Sequence, residues 1–184
     1  MTKSEEITSL IKLHSHEELL GVWEKIIEKP TPLGWEKGIV FEFLILRAFE
    51  IGGADVTYPY GVFNNDGVQI EQIDGVVYFK HLSCLIECKN YDEKSPIDFS
   101  PLVKMRSQLL RRPSSTIGSF FSVSGFTEPA VILAGYLAPQ TILLWESSEI
   151  YHVLTNNCIC NALIEKYKKY IEKCQPDYNT SSGS

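Results

Sequence analysis

The chain has 184 residues, a net charge of −6 and an isoelectric point near 5.3. Its 44% hydrophobic and 22% charged residues exclude a disordered chain. No apolar run reaches the ~20 residues of a membrane-spanning helix. The acidity argues against a protein that coats nucleic acid nonspecifically, but not against an enzyme whose basic residues gather beside an acidic site. The length suits one domain. The polar start Met1-Thr2-Lys3-Ser4-Glu5-Glu6 has no signal-peptide core behind it, and the five cysteines are an odd number. Reduced thiols in a cytoplasmic protein are therefore expected, with no membrane partner.

Residues 1–30 carry apolar residues at helical spacing, with Ser15 as a cap and Glu18 as its capping-box partner. Pro30, Pro32 and Gly34 break this pattern, so residues 1–34 read as an N-terminal helical extension. Trp35 to Ile51 is a nearly all-apolar helix, stopped by Gly52-Gly53. The period then shortens. Strands are expected over Ala54–Phe63, Gln72–Lys80 and Leu82–Lys89, with a turn at Asn64-Asn65-Asp66-Gly67. A polar loop over Tyr91–Pro96 leads to a basic helix, Phe99–Leu110. A strand over Ile117–Val123, a helix capped by Thr127 and a buried strand over Thr141–Trp145 follow. The central α/β unit spans residues 35–157. A helix covers 158–174, and 175–184 reads as a flexible tail. Mixed order with late βαβ alternation predicts an α/β sandwich around a mixed central sheet flanked by helices.

The chemistry lies around Asp74 and Glu87-Cys88-Lys89. Residues two apart on a strand share a face, so Glu87 and Lys89 project together and Cys88 points the other way. If the two strands pair as a hairpin, Asp74 opens one where Glu87 closes the other. Two carboxylates with open positions between them suit Mg²⁺, which takes hard oxygen ligands and keeps waters. An adjacent ammonium can orient a water or offset charge on phosphorus. Glu42, inside the apolar run Ile39–Leu44, is either an ion-paired or solvated residue or a third member of the site. Asp66 also precedes Glu87, but its turn accounts for it. His14-x-His16-Glu17 has poor spacing for a helical metal site, and Cys158-x-Cys160 has no matching pair. Residues 76–112 hold seven Lys and Arg against four acids. Lys104, Arg106, Arg111 and Arg112 are thus candidate phosphate contacts, although a solvated helix face would look the same.

A helix Phe41-Glu42, Ile73-Asp74-Gly75-Val76, Leu85-Ile86-Glu87-Cys88-Lys89-Asn90-Tyr91 and Phe120–Thr127 together resemble the PD-(D/E)xK nuclease superfamily. Within it they are most similar to the Mrr-like type IV restriction endonuclease group. Many Mrr-like proteins have Gln where this chain has Glu87. The resemblance covers roughly residues 35–155 and implies a restriction-endonuclease-like fold and a DNA endonuclease of a defence or DNA-processing system. It implies metal binding by Asp74, Glu87 and the Cys88 backbone carbonyl, with Glu42 completing the set and Lys89 handling the water or the phosphorane. The implied cofactor is Mg²⁺, with Mn²⁺ as a substitute, and the implied partners are DNA and a second copy of the chain in a homodimer. The first 34 residues are too short for a winged-helix reader, so a partner protein could supply specificity. The other readings are a non-catalytic nucleic-acid-binding or assembly subunit with this fold, and a nuclease acting on branched DNA or RNA.

Overall fold

The computed structural model describes residues 9, 12–28, 37–58, 60–89 and 95–183. The expected helical start before residue 12, the Pro30–Gly34 joint and most of the Tyr91–Pro96 loop lie outside these residues. Helix α1 (His16–Ile27) opens on the expected capping box: Glu18 N–H donates to Ser15 Oγ, and Ser15 N–H donates to Glu18 Oε2. Its Leu19, Trp23 and Ile26 recur on one face and are buried in the same core as the sheet. Helix α2 (Lys37–Ile51) is buried along most of its length and stops at Gly53, whose φ of +89° a side chain would strain.

The central sheet has five strands: β1 (Asp55–Thr57), β4 (Gly75–Phe79), β5 (Leu82–Lys89), β6 (Thr116–Ser122) and β7 (Ile142–Trp145), side by side in that order. β1, β4 and β5 run antiparallel, whereas β5, β6 and β7 run parallel. Helix α3 (Ser100–Leu109) makes the crossover from β5 to β6, and α4 (Glu128–Gly135) that from β6 to β7. Helices α5 (Ser147–Thr155) and α6 (Ile159–Lys173) complete the chain, with a short 3₁₀ turn at Thr180–Gly183. This is the expected α/β sandwich. One face packs Val77, Cys84, Ile86 and Cys88 against α1, α2, α5 and α6. The other packs Val76, Leu85 and Phe120 against α3 and α4. Two glycines mark how closely the layers meet. A Cβ on Gly75 would lie 2.5 Å from Leu46 on α2, and one on Gly118 would lie 2.7 Å from Met105 on α3.

Three expectations need correction. The single strand over 54–63 is broken into β1 and β2 (Tyr60–Phe63). The strand over 72–80 is likewise broken at Asp74, between β3 (Gln69–Ile73) and β4. The cause is a separate hairpin: β2 and β3 pair only with each other, Tyr60 opposite Ile73, around the Asn64–Gly67 turn. In that turn Asn64 Oδ1 accepts from Asp66 N–H and Val68 N–H, and Gly67 has φ +76°. Third, the residues read as a flexible tail are packed. Leu144 N–H donates to Pro176 O, and Thr180 is buried with its N–H and hydroxyl on Glu149 Oε1. The fully buried Lys166 ties Glu149 Oε2 (2.6 Å) and the Tyr178 carbonyl together from α6. A polar, small-residue composition concealed this anchoring.

Candidate active site

Strand β5 is a mostly apolar run that ends in charge. Its alternation sends Cys84, Ile86 and Cys88 into the α2 layer, so Glu87 and Lys89 face the α3 layer. Gly75 pairs with Ile86, so Asp74 leaves β4 at the point where Glu87 closes β5. The contact is direct: Cys88 N–H donates to Asp74 Oδ2 at 2.6 Å. The register explains it. Lys89 O accepts from Val123 N–H on the β6 side, so the backbone groups of Cys88, one residue away, face the β4 side and meet Asp74. The Cys88 carbonyl shares that side.

Glu87 is 4% exposed. Its Oε1 lies 2.7 Å from Lys89 Nζ and 3.8 Å from Lys104 Nζ, which reaches over from α3. Glu42 is half-buried on α2, on the opposite side of the sheet, yet within electrostatic reach of Asp74, Glu87 and Lys89. The site is therefore the open corner past the ends of β4 and β5. Glu42 comes from one layer, Glu87, Lys89 and Lys104 from the other, and Asp74 from the sheet edge.

Burial, then the charges of Glu87 and Glu42, push the Asp74 carboxyl up to about 8. Burial lifts Glu42 to about 7, with Lys89 opposing and Glu87 adding to the rise. For Lys89 burial disfavours the ammonium, but Glu87 and Asp74 outweigh it and hold the lysine above its ordinary value. Three acids thus share one fixed ammonium, and two of them favour protonation when no other cation is present.

These groups offer hard oxygens, the donor chemistry of Mg²⁺ or Mn²⁺. One oxygen of Asp74 is anchored by Cys88 N–H and one of Glu87 by the lysines, while the second oxygen of each has no protein partner among the described residues. No group of three or more Asp, Glu, His or Cys among the described residues forms a ready-made cage. The fit is to an ion held by two carboxylates that keeps waters and takes substrate oxygens, as Mg²⁺ does.

The four expected basic residues divide. Lys104 touches the site. Arg111 and Arg112 are both held by Glu71 on β3, the Arg112 contact at 2.7 Å, and Arg112 also lies over the Tyr60 ring. Arg106 sits on the exposed side of α3. Sequence reasoning missed Glu71 and also Gln108, a buried amide on α3 that donates to Gln72 O. A signal for Gln108 was present: it falls on the apolar stripe of α3 with Leu102, Met105 and Leu109.

No protein-family model and no curated protein sequence matches the chain. Solved structures do. The small subunit (R.BspD6I2) of the heterodimeric restriction endonuclease R.BspD6I aligns over 85% of this chain and 94% of its own, with TM-score 0.51 and 17% identity. A protein of unknown function, AF1548, aligns over 55% of each chain (TM-score 0.46, 21% identity). The MspJI restriction endonuclease, in complex with a 27-mer oligonucleotide, aligns over 80% of this chain (TM-score 0.43, 15% identity). The chain spans about half of AF1548 and 34% of MspJI. The R.BspD6I subunit, the only one of the three above a TM-score of 0.5, carries the fold assignment. The mixed five-stranded sheet with flanking helices is restriction-endonuclease-like. Among the described residues no helix is long and apolar enough to cross a membrane.

Proposed function

We propose that the chain is a metal-dependent endonuclease of the PD-(D/E)xK type, Mrr-like in its motifs, that hydrolyses DNA phosphodiesters in cytoplasmic restriction or DNA processing. The observation that supports this reading is the convergence of Asp74, Glu87, Glu42 and Lys89 at one corner of the sheet. Asp74 and Glu87 would hold the ion, with the Cys88 carbonyl on the same side of β5 and Glu42 completing the negative set. When bound, Mg²⁺ supplies a Lewis acid for phosphoryl oxygens and a more acidic water. Lys89 is fixed by Glu87 on a sheet strand, which keeps its ammonium aligned where negative charge develops on phosphorus. The Cys88 N–H holds Asp74 in the rotamer that faces the site.

Cleavage of both strands by a single-site domain usually takes two copies or a partner chain. The R.BspD6I subunit aligns over nearly its whole length and is half of a heterodimer, which favours a second reading: this chain works as one subunit beside a partner that supplies specificity. One experiment tests both readings. Purified protein is incubated with plasmid, linear, single-stranded and branched DNA and with RNA, in Mg²⁺, Mn²⁺ or Ca²⁺. The nuclease reading expects cleavage in Mg²⁺ or Mn²⁺ that is lost in Asp74→Asn and Glu87→Gln. Binding without cleavage in every metal overturns cleavage by this chain alone and leaves a subunit that acts with a partner chain.

A further inference from the structure

A groove between the hairpin and the crossover helix shares Lys104 with the site corner. Ile70, Glu71 and Gln72 on β3 face Lys104 and Ser107 on α3 and Arg111 just past its end, across a volume of about 230 Å³. That is smaller than the ~300 Å³ at which pockets for drug-sized ligands begin. Its chemistry is mixed. Ile70 is exposed and offers an apolar surface, Ser107 and Gln72 offer hydrogen-bonding groups, and the Lys104 ammonium and the Arg111 guanidinium outnumber the one carboxylate of Glu71. Lys104 belongs to both places, since it lines the groove and its ammonium stands 3.8 Å from Glu87. Its side chain is 61% exposed, so this contact is weakly held and the ammonium can swing to another anion.

A net-positive wall, a small apolar platform and polar groups within the space of one ring system fit an anion that carries a flat base. We propose that this groove is a nucleotide subsite: it takes the unit of the nucleic-acid strand next to the phosphate that lies over Glu87 and Lys89. The proposal rests on the nuclease reading for the position of that phosphate. Lys104 then passes from Glu87 to a phosphate oxygen, and Arg111 shares its guanidinium between Glu71 and the strand, since it carries five N–H donors. The base lies against Ile70.

The test is equilibrium binding of fluorescein-labelled duplex and single-stranded 20-mers in Ca²⁺, followed by anisotropy, with cleavage in Mg²⁺ measured alongside. Ser107→Trp fills the groove without changing charge, and Ser107 is exposed, so the fold tolerates it. Lys104→Glu reverses the mobile charge, and Lys168→Glu on the exposed side of α6 is the control. Each groove variant should bind about tenfold or more weakly, and Lys104→Glu should also lower the log–log salt slope by ~0.9. Lys168→Glu should match the wild type. Wild-type cleavage with unaltered binding by Ser107→Trp and Lys104→Glu overturns the subsite and leaves the nuclease reading standing. Binding that the groove variants weaken, with no wild-type cleavage in any metal, retains the groove and overturns cleavage by this chain alone. A wild type that binds no oligonucleotide overturns both.

Discussion

Asp74 is held by one short hydrogen bond and crowded by two other acids, so its removal has opposite effects on chemistry and on stability. Asp74→Asn should abolish cleavage yet leave the metal-free protein as stable as the wild type or more so near pH 8. The sign follows from the raised carboxyl. Its unfolded value is near 3.8 and its folded value about 8. The stabilising contribution is full below the unfolded value and is lost as pH rises through the folded one. Glu42 acts in the same direction, up to about 7. Denaturant melts of EDTA-treated wild type should therefore lose stability from about pH 4 to about pH 8. Mg²⁺ should flatten that loss, and Asp74→Asn should remove most of it. A wild-type curve that rises across this range without metal contradicts the shared site. Lys89 gives a second check. Lys89→Ala should cut single-turnover cleavage ~10²-fold or more while changing affinity in Ca²⁺ by only one charge. Lys89→Arg should stay slow, because a guanidinium cannot occupy the same point. An active Lys89→Arg would mean that charge alone suffices. Asp74, Glu87 and Lys89 were legible in the sequence because strand alternation fixes their faces locally. An approach of Glu42 across the helix–sheet interface could be offered from the sequence only beside an ion-paired or solvated alternative, since it depends on how a helix packs onto the sheet.

At the scale of elements, the hairpin β2–β3 owes its position to few contacts. Glu71 accepts from Arg111 and Arg112, Gln108 holds the Gln72 carbonyl, and the Tyr60 ring lies under Arg112. Arg112 is mostly buried, whereas Arg111 is well exposed, so most of the energy lies in the Arg112 contact. Glu71→Ala should cost about 1–3 kcal/mol. It should also speed amide exchange in β2 and β3 while β5 and β6 stay protected, which exchange mass spectrometry reads directly. Uniform acceleration throughout the sheet would show that the hairpin is not a separate unit. The sequence displayed this hairpin's turn but not its independence. Residues 72–80 read as one strand in the sequence, and only the pairing of Tyr60 with Ile73 reveals that the ladder changes partner at Asp74. The acid that holds the two arginines was hidden for a related reason: it is 40 and 41 residues away in the chain.

Across the whole molecule, the sheet is sealed on one side by the chain's last segment. Glu149 and Lys166 are both buried, and together they hold Thr180 and the Tyr178 carbonyl. Breaking a buried pair strands a charge, so Lys166→Met should cost ~3–5 kcal/mol. The double change Lys166→Met with Glu149→Leu should recover much of that loss, as equilibrium unfolding can measure. A single variant as stable as the wild type would show that the pair is solvated. Lys166 was detectable as a lysine on an apolar stripe with Ile159, Ala162, Leu163 and Tyr170, but its partner on another helix was not.

The break at Asp74 also has a consequence in time. β4 and β5 are joined by little more than Lys80 and His81, the most local pairing in the central sheet. β6 joins β5 only after the chain has travelled through α3, with Ser83 and Thr116 33 residues apart. Loop closure favours the short connection first. Asp74 and Glu87 therefore come face to face early, before β6 and its neighbours cover the sheet. In a pulse-labelling refolding experiment, the amides of β4 and β5 should gain protection ahead of those in β6 and β7. A divalent ion that binds the two acids at that stage would accelerate refolding as well as stabilise the product.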